Sequence, residues 1–416
     1  MSAERASEVV VLGAGIVGVS CALHLQRLGK RVVLIDREEP GEGTSFGNAG
    51  VLARCSVVPV ATPGILFRAP SMLFAADGPL FLRWSYLPRL MPWLVPYLLS
   101  SRRATVEHIA RHLTPLLVDS VHRHRELAAG TPAERWIRPS SYLYVYPDRR
   151  AYEKDAFGWG LRREQGFEWE VVEGDAVREI EPALSPGYRC AVVLEEHGFI
   201  ADPGRYVKDL AAAFVAGGGE VRRAEVRDVA PDGDGVVLRT TGGDIGAGAA
   251  VIAAGVWSSP LAERLGANVP MESERGYHVE LAEPSVRPSA PIMDAARRFV
   301  ATPMDAGLRL GGIVEFGGLA APPSEGPVKL LLRGAGLMLP GLEYKSKRTW
   351  LGHRPATADS LPVIGPAPRC ANVFLAYGHH HVGLTAGPKT GRLVAQQVVG
   401  LRPDLDMEAY RPDRCG

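Results

Sequence analysis

Residues 8 to 38 read EVVVLGAGIVGVSCALHLQRLGKRVVLIDRE, and this stretch decides the fold. Val9 to Leu12 form a short apolar run of the kind a buried parallel strand shows. The run meets Gly13, Gly15 and Gly18, after which Val17, Cys21, Leu25 and Leu28 recur at helical spacing on one face. Gly29 is placed to stop that helix, and Val32 to Ile35 make a second strand ending at Asp36. Strand, glycine turn, helix, strand and acid in this register predict a dinucleotide site. Gly13 makes the tight turn, Gly15 admits a pyrophosphate to the backbone, and Gly18 lets the helix lie close on the strand. The helix start at Ile16 and Val17 offers free N–H groups and a positive dipole end to the phosphates. Asp36 can accept hydrogen bonds from both ribose hydroxyls and would repel a 2′-phosphate, an argument that neighbouring Arg37 weakens.

The chain has 416 residues, which suits two domains better than one. With 46% apolar residues it can bury large cores and is not composed like a disordered chain. Positive and negative side chains number 47 and 46, so the charge balance makes no case for nucleic acid. Cys21, Cys55, Cys190, Cys370 and Cys415 are scattered without a C-x-x-C pair. That pattern points to reduced thiols in a cytoplasmic protein, not to a disulfide framework or a metal site. The opening MSAERASEVVV lacks the hydrophobic segment of a signal peptide. The most membrane-like stretch, LMPWLVPYLLSS at 90 to 101, is too short to span a bilayer and carries Pro92 and Pro96. The expectation is a soluble protein that at most lies on a membrane surface.

No second glycine fingerprint follows; Gly217 to Gly219 come after a helix and before a strand and read as a helix stop. The choice between NAD and FAD therefore falls to the residues after Asp36. These read REEPGEGTSFGNAGVLA and resemble the D-amino acid dehydrogenase branch of the FAD-dependent amine and amino acid oxidoreductases. That family includes D-amino acid oxidase, glycine oxidase and sarcosine oxidase. The resemblance implies that Thr44, Ser45, Asn48, Ala49, Gly50 and Val51 run beneath the flavin pyrophosphate and ring. It continues through Val226 at the adenine and through Ala254, Gly255 and Trp257 in AAVIAAGVWSSPLAERLG. ERGYHVEL (274 to 281) resembles the first substrate-domain strand after that turn, and GHRPATADSLPVIG (352 to 365) the segment with the carboxylate-binding arginine. The matches keep the family's order over nearly the whole chain. They imply an α/β plus α+β fold: a Rossmann-type FAD-binding domain (1–52, 185–262 and 350–416) with an inserted antiparallel-sheet substrate domain (53–184 and 263–349).

YGHHHVGLTAG carries three consecutive histidines, His379, His380 and His381, which cannot all point one way on an extended segment. No cluster with metal-ligand spacing accompanies them, so no metal is expected. By resemblance Gly378, His379, Val382, Gly383, Leu384 and Thr385 line the flavin. Their N–H groups would face the edge that becomes negative on reduction. His380 and His381 are candidates for the substrate pocket, His380 with a catalytic part. No cysteine occupies the place where some relatives attach FAD, so the cofactor is expected to be noncovalent. Arg354 is the expected carboxylate anchor, since a guanidinium is always charged and pairs bidentately. Tyr277 is the expected hydroxyl donor to substrate, with His278 on the opposite face and Arg275 unassigned.

The resemblance implies hydride transfer from the Cα of a D-amino acid to flavin N5, then hydrolysis of the imino acid to a 2-oxo acid and ammonia. IVEFGG (313 to 318) and AYRPDR (409 to 414) resemble D-hydroxyproline dehydrogenases and keep a cyclic D-imino acid open as substrate, beside a sarcosine or glycine oxidase activity. Electrons would pass to a quinone or an electron-transfer partner, with O2 as the alternative. SSYLYVYPD reads as a strand with Tyr142, Tyr144 and Tyr146 on one face. In residues 81 to 103 Pro88, Pro92 and Pro96 recur every fourth position and predict a broken or kinked helix. Trp84, Trp93, Arg83 and Arg102 there suit a membrane interface; a bridging element of the substrate domain explains them equally well.

Overall fold

The computed structural model describes residues 8–65, 78 and 80–415; the reading of residues 1–7 lies outside them. The opening stretch forms the expected unit: strand Glu8–Leu12, helix Ile16–Arg27, strand Arg31–Asp36. These strands sit inside a six-stranded sheet, in the order Val363–Ala367, Cys370–Tyr377, Ala249–Ile252, Glu8–Leu12, Arg31–Asp36, Glu220–Arg223. All neighbours pair in parallel except the Val363–Ala367 edge, so the inner strands are apolar on both faces. One face packs on the Ile16–Arg27, Pro203–Ala216 and Gly383–Val398 helices. The other packs on a small antiparallel sheet, Val226–Asp232, Gly235–Thr240 and Gly243–Ala247.

Glycines set the closest approaches. A Cβ at Gly18 would fall 1.8 Å from the Gly13 carbonyl oxygen, so the first helix can rest on the turn only without a side chain there. The Gly383–Val398 helix then lies on the first helix through Gly387, against Ile16, and Gly391, against Ser20.

The second layer is a nine-stranded sheet. Its path runs Ser346–Thr357, Met271–Ala282, Gly307–Phe316, Phe299–Met304, Ile292–Asp294, Ile137–Tyr146, Cys190–Ile200, Glu170–Glu173, with Leu80–Leu82 added on Gly307–Phe316. Most pairs are antiparallel, but Ile292–Asp294 runs parallel to Ile137–Tyr146, and Leu80–Leu82 parallel to Gly307–Phe316. Cys190–Ile200 and Ser346–Thr357 belong to this sheet, so the chain returns to the six-stranded layer after residues 200 and 357, later than the 185 and 350 expected from sequence. The Glu325–Met338 helix covers the outer face, burying Leu330, Leu331 and Ala335 on Tyr277, Val279 and Leu310. The inner face looks toward the glycine turn.

The proline-rich stretch is one helix, Leu87–Leu99, with Pro92 and Pro96 inside it, so the break its sequence allows does not occur. Pro88 occupies the first turn, where no N–H is needed. Anchoring offsets the donors lost at Pro92 and Pro96: Trp93 Nε1 donates to Ala356 O at 2.7 Å, and the Trp93 and Tyr97 rings stack at 4.4 Å. Among the described residues no helix is long and apolar enough to cross a membrane.

The contact between the two long helices tests this packing. A Cβ at Gly391 would lie 2.5 Å from the Ser20 carbonyl carbon, which no rotamer change can relieve. Gly391→Ala is expected to cost about 1–3 kcal/mol in denaturant unfolding; a change within the ordinary surface range of roughly 0.5 kcal/mol would contradict the packing.

Candidate active site

Two helix N-termini open on one cavity. The Ile16–Arg27 helix is capped by Gly15 and the Gly383–Val398 helix by Val382, both without a side-chain hydrogen bond. Apart from that of Ile16, which Ser45 takes up, their first-turn N–H groups are left to face a ligand. The cavity measures about 1220 Å³, above the roughly 300–1,000 Å³ usual for one small molecule. Gly13, Gly15, Ile16, Val17, Asp36 and Arg37 line one end, and Thr44, Ser45, Asn48, Ala49 and Val51 the floor. Val226, Ala254, Gly255 and Trp257 close the acidic end, while His379, Val382, Gly383, Leu384 and Thr385 form the far wall.

Three expected residues stand behind the wall instead. Gly18 packs on the turn, Gly50 (φ +79°) lies under Met304, and Gly378 (φ +80°) lies against Thr357. They shape the backbone that lines the cavity and are not themselves among the lining residues.

Local hydrogen bonds hold the cradle ready. Asp36 Oδ2 accepts from Ala14 N at 2.6 Å, fixing the carboxylate beside the turn. Ser45 Oγ accepts from Ile16 N at 3.0 Å, and Thr44 Oγ1 donates to His353 O at 2.9 Å. The Arg37 guanidinium lies 3.9 Å over the Trp257 ring, a cation–π contact at the acidic end of the cavity. Arg309, unmarked by the sequence reading, reaches from the large sheet to donate to Phe46 O and Asn48 O at 3.1 and 2.9 Å. Its charge is balanced by Glu280 at 2.6 Å. Gly47 and Gly352 flank the Trp350 indole so closely that neither could carry a Cβ, and His278 stacks on the same ring at 5.2 Å.

The catalytic end is built by the strands Met271–Ala282 and Ser346–Thr357. Their register sets Glu274 opposite Arg354 and Gly276 opposite Gly352. A Cβ at Gly276 would lie 2.6 Å from Arg354 Cζ, so the bare glycine is what lets the guanidinium lie across the strand. Arg354 is largely buried, and its one partner of opposite charge among the described residues is Glu274, at 3.6 Å.

The three histidines diverge. His379 is buried and shares a proton with Thr390 Oγ1 across 2.9 Å. Burial pushes it down to about 4, so it is neutral at physiological pH. His380 takes a left-handed backbone (φ +52°), which turns its Nδ1 to within 3.5 Å of Glu274 Oε2 and 2.9 Å of His381 Nδ1. Burial, helped by the Arg354 charge, pushes His380 down to about 3. His381 is exposed where it borders the cavity. Among the described residues no group of three or more His, Cys, Asp or Glu could hold a metal.

Tyr277 is among the residues that line the cavity, but its hydroxyl is engaged elsewhere. Strand alternation turns its side chain away from Arg354 and under the Glu325–Met338 helix. There its hydroxyl donates to Glu315 Oε2 at 2.6 Å and accepts from Ser324 N at 2.8 Å. Arg275, fully buried, pairs with the same carboxylate at 3.1 Å. His278, expected on the far side, is the residue that faces the cofactor loop, at 3.0 Å from Gly47 O. Arg354, Glu274, His380 and His381 thus meet at this end of the cavity; Glu274 was missed because an acid in a strand carries no signal of its own.

Comparison with known proteins agrees with this cradle. A model of the FAD dependent oxidoreductase (DAO) family matches residues 8–397. A protein of Bradyrhizobium diazoefficiens named D-amino-acid oxidase is 40% identical over 414 residues, covering 98% of each chain. One of Paramagnetospirillum magneticum named D-amino acid dehydrogenase is 30% identical, again over 98% of each. The glycine oxidase structure from Geobacillus kaustophilus superposes with a TM-score of 0.73 at 23% identity over 98% of both chains, a likeness of fold. FAD is accordingly the dinucleotide for which the cradle is built, and Asp36→Asn is expected to weaken its binding. Loss of a charged acceptor corresponds to about 1.5–3 kcal/mol, roughly 10- to 100-fold in a flavin fluorescence titration. Unchanged affinity would remove Asp36 from the site. With the glycine turn, the acid, the flavin floor and the far wall all in the matched span, this chain belongs to the FAD dependent oxidoreductase family.

Proposed function

We propose that the protein oxidises free D-amino acids at Cα, giving an imino acid that water hydrolyses to a 2-oxo acid and ammonia. The observation that carries this reading is Arg354, a cation in the cavity wall with room beside it made by Gly276. A guanidinium so placed takes a carboxylate in two parallel hydrogen bonds and fixes the substrate's Cα. FAD, when bound, supplies the hydride acceptor. His380, neutral beside Arg354, adds no second positive charge to the anchor. The cavity continues past Met293 and Val300 to Tyr142 and Tyr144, an apolar and aromatic end suited to a side chain. The names of the Bradyrhizobium and Paramagnetospirillum relatives support a D-amino acid as substrate. Arg354→Met is expected to lower kcat/KM for anaerobic flavin reduction by D-amino acids roughly 30- to several thousand-fold, as losing one partner of a buried charge pair does. A smaller loss than tenfold would place the anchor elsewhere.

We further infer that the reduced enzyme delivers electrons at the inner face of the cell membrane, to a quinone or an electron-transfer partner. The supporting observation is the outer side of the Leu87–Leu99 helix. Met91, Val95 and Leu99 recur one helical turn apart, 42, 45 and 52% exposed, with Trp84 at 57% beside them and Arg89, Arg102 and Arg103 alongside. The holoenzyme is expected to sediment with anionic lipid vesicles, and Val95→Glu with Leu99→Glu to abolish this while leaving flavin reduction intact. Equal recovery in the supernatant with and without vesicles would sink this part of the reading and leave O2 as acceptor.

A further inference from the structure

Beside the carboxylate anchor stands a carboxylate. Glu274 projects from the Met271–Ala282 strand into the same cavity as Arg354 and is only 4% exposed. A buried acid is costly unless it is paired, and its pairing here is loose. Arg354 Nη1 is 3.6 Å from Oε2, and His380 Nδ1 is 3.5 Å from the same oxygen, both beyond good hydrogen-bond length. His380 is neutral, and its Nε2 is buried without a hydrogen-bond partner among the described residues. The groups facing Glu274 are therefore Arg354 from the neighbouring strand, His380 and His381 from the histidine loop, and Tyr97 from the Leu87–Leu99 helix. Glu272, two residues along the strand, is occupied with the Tyr86 hydroxyl.

A carboxylate at this place works against the anchor's simplest use. A ligand carboxylate entering to meet Arg354 would approach Glu274 as well, and the two anions repel. The arrangement becomes favourable only if the ligand brings a positive charge of its own beside its carboxylate. A free α-amino acid is such a ligand: its carboxylate and ammonium are joined through one carbon, in the same side-by-side order as the guanidinium and the Glu274 carboxylate.

We propose that Glu274 is the ammonium-binding and proton-accepting residue of the site, so that Glu274 and Arg354 together select a zwitterionic α-amino acid over a simple carboxylate. The inference rests on the amino acid oxidation put forward above. Hydride can leave Cα only when the nitrogen lone pair is free to form the C=N bond. The substrate ammonium therefore gives one proton to a Glu274 oxygen, leaving a neutral amine and a neutral carboxylic acid. Glu274 returns the proton to water after the product has left, with no change in its own oxidation state.

The experiment uses the FAD-loaded enzyme and two inert ligands of one shape. 2-Aminoisobutyrate is a zwitterion with no Cα hydrogen to lose, and isobutyrate is the same molecule without the ammonium. Binding is read from the perturbation of the flavin spectrum. The wild type is expected to bind 2-aminoisobutyrate at least about tenfold more tightly than isobutyrate. Glu274→Gln is expected to reverse the order, weakening 2-aminoisobutyrate and strengthening isobutyrate; a purely structural role would weaken both. Glu274→Asp, which keeps the charge, should restore the wild-type order, and it carries the test if the glutamine variant does not retain FAD. Anaerobic reduction by D-alanine gives the second readout. In Glu274→Gln the rate constant should rise about tenfold per pH unit until the amine's own ionisation, whereas in the wild type it should level off at lower pH. A wild type that prefers isobutyrate, or a glutamine variant that shifts both ligands alike and keeps the wild-type pH profile, overturns the proposal. Absence of reduction by any D-amino acid, with the crossed binding intact, would instead overturn the proposed reaction and leave the zwitterion site standing.

Discussion

The register between Met271–Ala282 and Ser346–Thr357 is the constraint on which the site depends. The pairing is unbroken from Met271 opposite Thr357 to Ala282 opposite Ser346, and every functional side chain on these strands takes its face from it. A slip of the Met271–Ala282 strand by one residue would turn Glu274 under the Glu325–Met338 helix, away from Arg354, and bring Arg275 to the cavity side. The outer network of Arg275, Glu315, Tyr277 and Ser324 resists that slip, because a buried charge pair has no satisfactory place on the other face. Arg309 completes the arrangement by tying the cofactor loop at Phe46 and Asn48 to the neighbouring strand. Two layers assembled from alternating stretches of chain are thereby brought into one alignment.

The two layers divide the work by the kind of force each supplies. The six-stranded layer presents backbone: N–H groups at two helix starts, a glycine turn, one fixed carboxylate. These suit an anionic cofactor and are set by main-chain geometry, which tolerates little change. The nine-stranded layer presents side chains, among them Arg354, Glu274, Tyr142 and Met293. Solved structures of this fold carry titles as different as glycine oxidase, L-proline dehydrogenase and L-amino acid deaminase at TM-scores near 0.7, which is what such a division permits.

Legibility in the sequence followed the range of the interactions. The Gly13–Asp36 unit could be read because its strand, turn, helix and acid lie within one short segment. Arg354 was legible only through the resemblance of the residues around it. The faces of Tyr277 and His278 were not, because positions 273 to 281 are buried without interruption between the cavity and a helix, and that erases the alternation from which a face is read. Prolines at every fourth residue argued against a helix on local grounds, and tertiary anchoring of Trp93 and Ser100 to the carbonyls of Ala356 and Ala358 prevailed. Glu274 gave no sign, since its meaning lies in a neighbour eighty positions away.

The glycine contact between the first and last long helices has a consequence for how the protein is made. The turn at Gly13 is synthesised long before the surface that closes over the helix behind it, which comes from Gly387 and Gly391. Until those residues emerge, the side of the first helix at Ile16 and Ser20 lacks its partner. The nascent nucleotide-binding layer cannot become a finished folding unit ahead of the substrate layer inserted within it, and both must mature together. Ordering by sequence separation of this kind makes the arrival of the Gly383–Val398 helix, whose start lines the cavity, a condition for a closed cofactor site.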